Sequence, residues 1–147
     1  MQNEYRRQVL KLGLTAAGAM MLPGLKPALA DTKRQLVRTI PSSGEIIPAM
    51  GLGTFRTFDV GSGESELVPL REVVRSFVER GGTMVDSSPM YGRAERVVGE
   101  LVTDLNIGDR IFFATKVWTP GKSAGKSQME DSFRLMATDH IDLELDL

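Results

Sequence analysis

The 147-residue chain contains no cysteine, which excludes disulfide bonds, zinc–thiolate sites and thiol nucleophiles. It also lacks an excess of either charge, because its formal net charge is −1. That balance predicts neither a nucleic-acid partner nor binding to an anionic membrane surface. The apolar run near the N-terminus covers only residues 12–22, which is too short for a helix to cross a bilayer. The remaining composition is ordinary for a soluble chain of one domain at most.

The first thirty residues have the layout of an export signal. A charged opening that contains Arg6 and Arg7 precedes a weakly apolar run, and an Ala-Leu-Ala tract follows at residues 28–30. The paired arginines resemble a twin-arginine export signal. We therefore expect residues 1–30 to be a signal peptide that directs residues 31–147 to the periplasm, with no membrane attachment after cleavage. The alternative is a basic, amphipathic N-terminal helix that stays attached.

Hydrophobic periodicity predicts a short hairpin followed by alternating strands and helices. Repeated strand–helix units indicate a parallel sheet, either doubly wound or closed into a barrel. The order is a hairpin at residues 33–47, strands at 48–55, 83–86, 111–118 and 139–147, and helices at 65–80, 94–105 and from about 127.

Capping patterns predict where two of the helices begin. Ser65 is the expected N-cap of the first helix, and Gly81 with Gly82 ends it. Ser127 and Glu130 have the spacing of a capping box at the start of the third helix.

Three familiar cofactor motifs fail on inspection. The glycines of residues 51–53 start like a dinucleotide fingerprint, but the third glycine and the following helix are missing. Residues 125–127 end like a phosphate-binding loop, yet Pro120 stands where the first glycine is required. Glu95 stands four residues after Tyr91, so the Tyr-x-x-x-Lys pair of short-chain dehydrogenases is absent.

The only histidine, His140, is a weak candidate for a base or a metal ligand. It lies at the start of a predicted strand, away from the end where sites form. Side chains alternate between the two faces of a strand, and His140 is an odd number of residues from Ile141 and from Leu147, so it points to the opposite face of that strand. We interpret it as a structural histidine, either exposed or facing a helix.

A more promising set is formed by Asp86, Tyr91 and Lys116. Asp86 and Lys116 lie at the carboxyl ends of strands joined by one helix, so they should be neighbours at one rim of the sheet. Tyr91 follows in the loop above them. A nearby ammonium favours the phenolate and makes a phenol a better acid, while a carboxylate holds the ammonium in place. The alternative is an ordinary ion pair with Tyr91 as a capping aromatic.

The chain resembles the aldo-keto reductases in four tracts that follow the family's order and spacing: residues 47–55, 85–92 with Glu95 and residues 98–99, 114–116 and 139–143. No single tract is specific, but the combination is. The resemblance implies an α/β fold of the (β/α)8 TIM-barrel type with an N-terminal hairpin closing its bottom. This chain would form the N-terminal half only, with the hairpin, about four parallel strands and three helices.

The resemblance also implies a function and the residues that carry it. The protein would be an NADPH-dependent reductase of small aldehydes or ketones that uses no metal. Tyr91 would be the catalytic acid, and Asp86 with Lys116 would tune it. The cofactor-binding residues it implies are Gly53, Thr54, Phe55 and Asp86.

The length of the chain limits that expectation. A complete barrel of this type needs roughly 250 residues, and the family's catalytic histidine on the fourth strand would fall at Leu147. We therefore expect the N-terminal half of an exported aldo-keto reductase, truncated and inactive as this chain alone. Two alternatives stay open. One is a half-barrel that works as a homodimer or with a second half encoded separately, and the other is a non-catalytic exported binding module.

Overall fold

The computed structural model of the chain describes residues 36–146. The predicted export signal, the first residues of the predicted hairpin and Leu147 therefore lie outside the described residues. All described residues belong to one compact unit, Asp31–Leu147. Within this described part, no helix is both long and apolar enough to cross a membrane.

A hairpin comes first, as the sequence predicts. Strand β1 (Val37–Thr39) pairs in antiparallel fashion with strand β2 (Ile46–Pro48). The turn between them is closed by the Ile40 N–H, which donates to the Glu45 carbonyl oxygen over 2.8 Å. The predicted hairpin is confirmed, and its return arm ends at Pro48, which the sequence assigned to the next strand.

Four further strands form one parallel sheet. They are β3 (Gly51–Gly53), β4 (Met84–Asp86), β5 (Phe112–Val117) and β6 (Leu143–Asp146), and they are neighbours in that order. Parallel strands bring their carboxyl ends to one rim, and Asp86 and Lys116 lie there on adjacent strands. The predicted parallel sheet is confirmed.

Three helices connect these strands. They are α1 (Glu64–Glu79), α2 (Ala94–Leu105) and α3 (Lys122–Leu135), and a short 3-10 helix, Gly108–Arg110, precedes β5. Helix α2 has the bounds that the periodicity predicts. Its apolar stripe is buried together with that of α1 and with Phe113 of β5, and this burial is the main source of stability. The stripe residues are Leu67, Leu70, Val74 and Val78 of α1 and Val97, Val98, Leu101 and Val102 of α2.

The predicted N-cap of α1 is wrong. The helix begins at Glu64 after Gly63, which makes no side-chain capping bond, and Ser65 lies inside the first turn. Glu66 takes over the anchoring role, because its carboxylate accepts the N–H of Gly61 over 3.1 Å. A carboxylate in the first turn is also favoured by the helix dipole.

The predicted capping box of α3 is also wrong. The helix begins at Lys122, and its first turn is closed by the bond from the Gly125 N–H to the Gly121 carbonyl oxygen. Ser127 is therefore already inside the helix. The side chain that reaches back to the preceding loop is Gln128, whose amide oxygen accepts the N–H of Trp118 over 2.9 Å.

Strand β6 starts later than its alternating sequence predicts. Residues before Leu143 form a turn in which the Thr138 hydroxyl donates to the His140 carbonyl oxygen over 3.0 Å. The Asp142 carboxylate then accepts the Phe113 N–H over 2.7 Å. These side-chain bonds compete with an extended backbone, so the strand covers only Leu143–Asp146.

Candidate active site

The ammonium of Lys116 is held at the carboxyl rim of the sheet by three acceptors. Its Nζ donates to both carboxylate oxygens of Asp86, over 2.8 and 3.0 Å, and to the carbonyl oxygen of Ser87 over 2.9 Å. An ammonium has three N–H donors, so all of them are used. The Lys116 side chain is 10% exposed and that of Asp86 is 35% exposed. The pair is therefore fixed and open to solvent on its carboxylate side.

Tyr91 lies against this pair through the face of its ring. The Lys116 Nζ is 4.8 Å from the ring centroid, a cation–π distance. The ring also packs at a tilt of 51° against Phe55, with the two centroids 5.0 Å apart. The phenol hydroxyl makes no hydrogen bond to the residues that the structure describes.

The loop that carries Tyr91 is fastened on both sides. The Tyr91 N–H donates to the Ser88 carbonyl oxygen over 3.0 Å, and the Arg93 N–H donates to the Asp59 carboxylate, also over 3.0 Å. Between them Gly92 has a φ of +62°, and a Cβ there would lie 2.4 Å from the Asp59 carboxylate carbon. Only glycine combines that backbone with that close approach.

The three residues predicted beside Asp86 at the cofactor have different environments. Gly53 faces open space, because a Cβ added there would meet no atom within 4 Å. The Thr54 side chain is fully buried; its hydroxyl donates to the Asp86 carbonyl oxygen over 2.9 Å and lies 3.0 Å from the Ser87 hydroxyl oxygen. Phe55 is 56% exposed beside Tyr91. Thr54 therefore supports the rim from below, while Gly53 and Phe55 face outward.

Glu95 is a buried acid whose contacts the sequence did not reveal. It is 2% exposed and accepts hydrogen bonds from the hydroxyls of Thr115 and Ser132. Burial raises the pKa of its carboxyl, while the two hydroxyls and the charge of Lys116 oppose that rise. Its position on the buried stripe of α2, three residues before Val98, is the signal that could have identified it.

The sequence profile of the Aldo/keto reductase family matches residues 49–145. The chain belongs to the aldo/keto reductase family. The match includes all the residues at the carboxyl rim described above.

Three relatives show how far the similarity extends. Methylglyoxal reductase YeaE of Escherichia coli (strain K12) is 35% identical over 114 residues, which cover 74% of this chain and 38% of that protein. A Klebsiella pneumoniae aldo/keto reductase, solved in complex with NADP and acetate, is 30% identical with a TM-score of 0.57 over 69% of this chain and 35% of its own. An aldo-keto reductase from the same organism, solved in complex with NADPH, is 28% identical with a TM-score of 0.59 over 75% and 39% of the two chains.

The chain thus spans less than two fifths of the length of each of these relatives. The solved neighbours are TIM barrels, and the four parallel strands with three helices form part of such a barrel. The fold class predicted from the sequence is confirmed. The catalytic roles predicted for Asp86, Tyr91 and Lys116, and the cofactor contacts predicted for Gly53, Thr54 and Phe55, stay predictions.

The residues predicted to contact the nicotinamide cofactor lie at an open part of the rim. The space over Gly53 is open, the Asp86 carboxylate is partly exposed, and Phe55 is exposed beside Tyr91 with the Arg56 guanidinium over its ring, so the predicted contacts of these residues with a planar ring that carries an amide are sterically possible. Among residues 36–146 there is no cluster of three or more His, Cys, Asp or Glu residues that could hold a metal ion.

His140 lies in the turn before β6, apart from the rim. Its Nδ1 is 3.0 Å from an Asp139 oxygen, its Nε2 is 3.7 Å from an Asp142 oxygen, and its ring meets Phe113 edge to face. The hydrogen bond to Asp139, followed by the charges of both aspartates, raises the pKa of His140 above its usual value. Asp109 and Arg134 line the adjoining surface cavity. The structural interpretation of this histidine agrees with these contacts.

We expect His140 to make folding mildly dependent on pH. Because its pKa is higher in the folded chain, its stabilisation is present below the unfolded pKa of about 6.5 and is lost as pH rises through the folded pKa. Asp139 stays ionised throughout, since its pKa is lowered by the same bond. The side chain is 45% exposed, so the effect should be only about 0.5 kcal/mol.

The measurement is urea unfolding of the parent chain and of His140→Gln at pH values of about 5.5 and 8.5. The difference in free energy of unfolding between the two proteins should be about 0.5 kcal/mol larger at the lower pH than at the higher pH, where only the lost ring contact with Phe113 contributes. An equal difference at both values would contradict the assignment.

Proposed function

We propose that this chain supplies the proton-donating part of an NADPH-dependent reductase that converts small aldehydes or ketones to alcohols. The observation that carries the proposal is the rim geometry: an ammonium with three fixed acceptors lies 4.8 Å from the ring of a tyrosine whose hydroxyl is free of described partners. Family membership supports the reaction class. The solved relatives with bound NADP or NADPH support the cofactor.

Asp86, Tyr91 and Lys116 form a catalytic trio in this proposal, and each residue has a distinct role. NADPH, when bound, supplies the hydride that adds to the carbonyl carbon. The Tyr91 hydroxyl donates its proton to the carbonyl oxygen, which becomes the alcohol. The Lys116 ammonium stabilises the negative charge of the phenolate that is left, because it lies over the ring. Its N–H groups are already hydrogen-bonded, so the ammonium is held in that position. Asp86 pairs with Lys116 and holds it in position.

The substrate class follows from the walls of the rim and from one relative. Phe55 is 56% exposed beside Tyr91, and Trp118, just beyond the end of β5, is 52% exposed. The Phe55 ring packs against Tyr91, and the guanidinium carbon of Arg56 lies 5.1 Å from the centroid of the Phe55 ring. The wall beside the proton donor is therefore aromatic with a cation over it, which suits a small polar carbonyl compound. The Escherichia coli relative is named a methylglyoxal reductase, so methylglyoxal is the first compound to assay.

We also propose that reduction requires more of the barrel than residues 1–147 supply. The described sheet ends at β3 on one side and β6 on the other, and both present unpaired edges among the described residues. A closed ring of eight strands has no such edges. A half-barrel that needs a partner half is thus the alternative that this observation favours, whether the partner is a second copy or a separate chain.

The experiment uses a hybrid reductase in which residues 36–146 replace the matched segment of the Escherichia coli methylglyoxal reductase. We expect the hybrid to oxidise NADPH when methylglyoxal is added, and the 147-residue chain alone to bind no NADPH and give no turnover. A folded hybrid that binds NADPH without reducing any small aldehyde would refute the role of the trio. Micromolar NADPH binding by the chain alone would refute the need for more of the barrel.

Export remains part of the proposal. The arginine pair and the Ala-Leu-Ala tract support a twin-arginine signal at residues 1–30 and a periplasmic location, with residues 31–147 as the mature part. The N-terminal residue of the protein recovered from the periplasmic fraction of a bacterial host tests this, since cleavage after Ala30 leaves Asp31 first.

A further inference from the structure

We propose that Glu95 is a positioning residue that fixes strand β5 from its outer side and thereby aims the ammonium of Lys116. The inference rests on the proposed function, because it concerns the same trio at the carboxyl rim. It assigns a task to a buried acid that touches none of the reacting atoms.

The carboxylate of Glu95 joins two other elements through one oxygen. Its Oε1 accepts the hydroxyl of Thr115 on β5 over 2.7 Å and the hydroxyl of Ser132 on α3 over 2.8 Å. All three side chains are buried, with exposures of 2%, 1% and 0%. A buried acid is costly without partners, so these two bonds define where the carboxylate and its neighbours can lie.

Strand geometry connects this contact to the site. Thr115 and Lys116 are consecutive in β5, so their side chains point to opposite faces of the sheet. The hydrogen bond from the Thr115 hydroxyl to Glu95 on the helix-facing side of the sheet therefore fixes the direction in which Lys116 points on the opposite side. That direction matters, since the Lys116 Nζ must meet both oxygens of Asp86 and the carbonyl of Ser87 within 3.0 Å.

Glu95 is also close in the chain to the proposed acid. It lies in the first turn of α2, and the preceding residue, Ala94, donates its N–H to the carbonyl oxygen of Tyr91 over 3.2 Å. The same first turn thus contacts both the Tyr91 loop and the strand of Lys116. Glu95 is the point at which these two parts of the site are held in register.

The two hydroxyls allow positioning to be separated from general support. Thr115→Val and Ser132→Ala each remove one hydrogen bond to the same carboxylate oxygen, and both sites are buried. Both variants should therefore lower the melting temperature to a similar extent. Only Thr115→Val breaks the link to β5, so only that variant should displace the Lys116 ammonium.

The readout is the ionisation of the tyrosine, followed by ultraviolet absorbance in the full chain. Tyr5 is the only other tyrosine, so Tyr5→Phe provides a background in which Tyr91 alone titrates. We expect Thr115→Val to raise the midpoint, because a displaced ammonium stabilises the phenolate less. Ser132→Ala should leave the midpoint unchanged. Equal shifts in the two variants, or no shift in Thr115→Val, would overturn the proposal.

A second pair of variants, Glu95→Asp and Glu100→Asp, tests the proposal if Thr115→Val does not fold. Glu95→Asp retains the carboxyl group but shortens the side chain, so it should raise the midpoint like Thr115→Val. Glu100→Asp makes the same change on the same helix, where the carboxylate pairs with Arg96, and should not shift it. If the midpoint of Tyr91 ionisation in Glu95→Asp equals that of the parent, the positioning role of Glu95 is contradicted.

Lys116→Met in the same background separates this inference from the proposed function. If Lys116→Met raises the midpoint and neither Thr115→Val nor Glu95→Asp does, only the role of Glu95 fails. If Lys116→Met itself has no effect, the tuning of the acid fails and the role of Glu95 fails with it. The titration requires no turnover, so a hybrid reductase that proves inactive does not affect this result.

Discussion

Replacing Tyr91 by phenylalanine should reduce kcat/KM of the hybrid reductase for methylglyoxal by about 10²- to 10⁴-fold, the range typical of a lost general acid. The substitution removes one hydroxyl and keeps the ring, so the packing against Phe55 and the cation–π contact with Lys116 should survive. Thermal unfolding and NADPH affinity should therefore match those of the parent hybrid. The measurement is steady-state NADPH oxidation over a range of methylglyoxal concentrations.

Lys116 acts on the carbonyl only through Tyr91 in this mechanism, and that dependence is also testable. Lys116→Met should slow the parent hybrid substantially but add little to the loss already caused by Tyr91→Phe, because residues that act as a unit are not additive. Lys126→Met is the matched control, since that exposed lysine pairs with the exposed Glu130 on α3. Additive losses would show that Lys116 acts independently of Tyr91, and a Tyr91→Phe hybrid with parental rates would exclude the phenol as the proton donor.

Much of the fold could be predicted because local periodicity and topology agree. The bounds of α2 follow from its apolar stripe, and the right-handed strand–helix–strand rule places β4 beside β5. The start of β6 could not be predicted in the same way. Its alternation continues back to residue 139, but the bonds of Thr138 and Asp142 hold the preceding residues in a turn.

Helix starts were harder still, because side chains several residues apart compete to anchor them. Ser65 and Ser127 have the right chemistry for caps, yet Glu66 and Gln128 reach back to the preceding loops instead. Sequence spacing shows which side-chain hydrogen bonds are possible at a helix start. Which of two polar side chains bonds to a given N–H depends on the conformation of the preceding loop, which the spacing does not predict.

In the site, too, contacts set by strand pairing could be predicted from the sequence, whereas contacts set by loop conformation could not. The proximity of Asp86 and Lys116 follows from parallel strands alone, and the structure has their charged atoms 2.8 Å apart. The contact of Tyr91 through its ring face depends on the loop that Gly92 and Asp59 hold, which periodicity does not describe. Glu95 was overlooked as a buried contact because a charged residue in the first turn of a helix is usually solvated.

The largest effect on stability should come from Gly99→Ala. Gly99 lies in α2, where a Cβ would be 2.2 Å from the Leu135 carbonyl oxygen and 2.9 Å from the Met136 carbonyl carbon. Both are backbone atoms at the end of α3, so the clash cannot be relieved by rotating a side chain. We expect a loss of about 3 kcal/mol in the free energy of unfolding, even though alanine favours a helix by about 1 kcal/mol over glycine.

Gly108→Ala is the matched control for this prediction. A Cβ at Gly108 would meet only the Val102 side chain at 3.7 Å, an ordinary contact, so its effect should stay within about 0.5 kcal/mol. Urea unfolding of the two variants and the parent gives both values. Equal stability of Gly99→Ala and the parent would mean that α2 and α3 do not approach as closely as described.

The same variant separates helix packing from the geometry of the site. Gly99 lies one turn after Glu95 on α2, so pushing α3 away should weaken the bond from Ser132 to Glu95. The bond from Thr115 connects α2 to β5 and does not involve α3. Gly99→Ala should therefore lower stability more than Thr115→Val while leaving the ionisation midpoint of Tyr91 where it is in the parent. A shifted midpoint in Gly99→Ala would show that α3, rather than the Thr115 bond alone, aims the lysine.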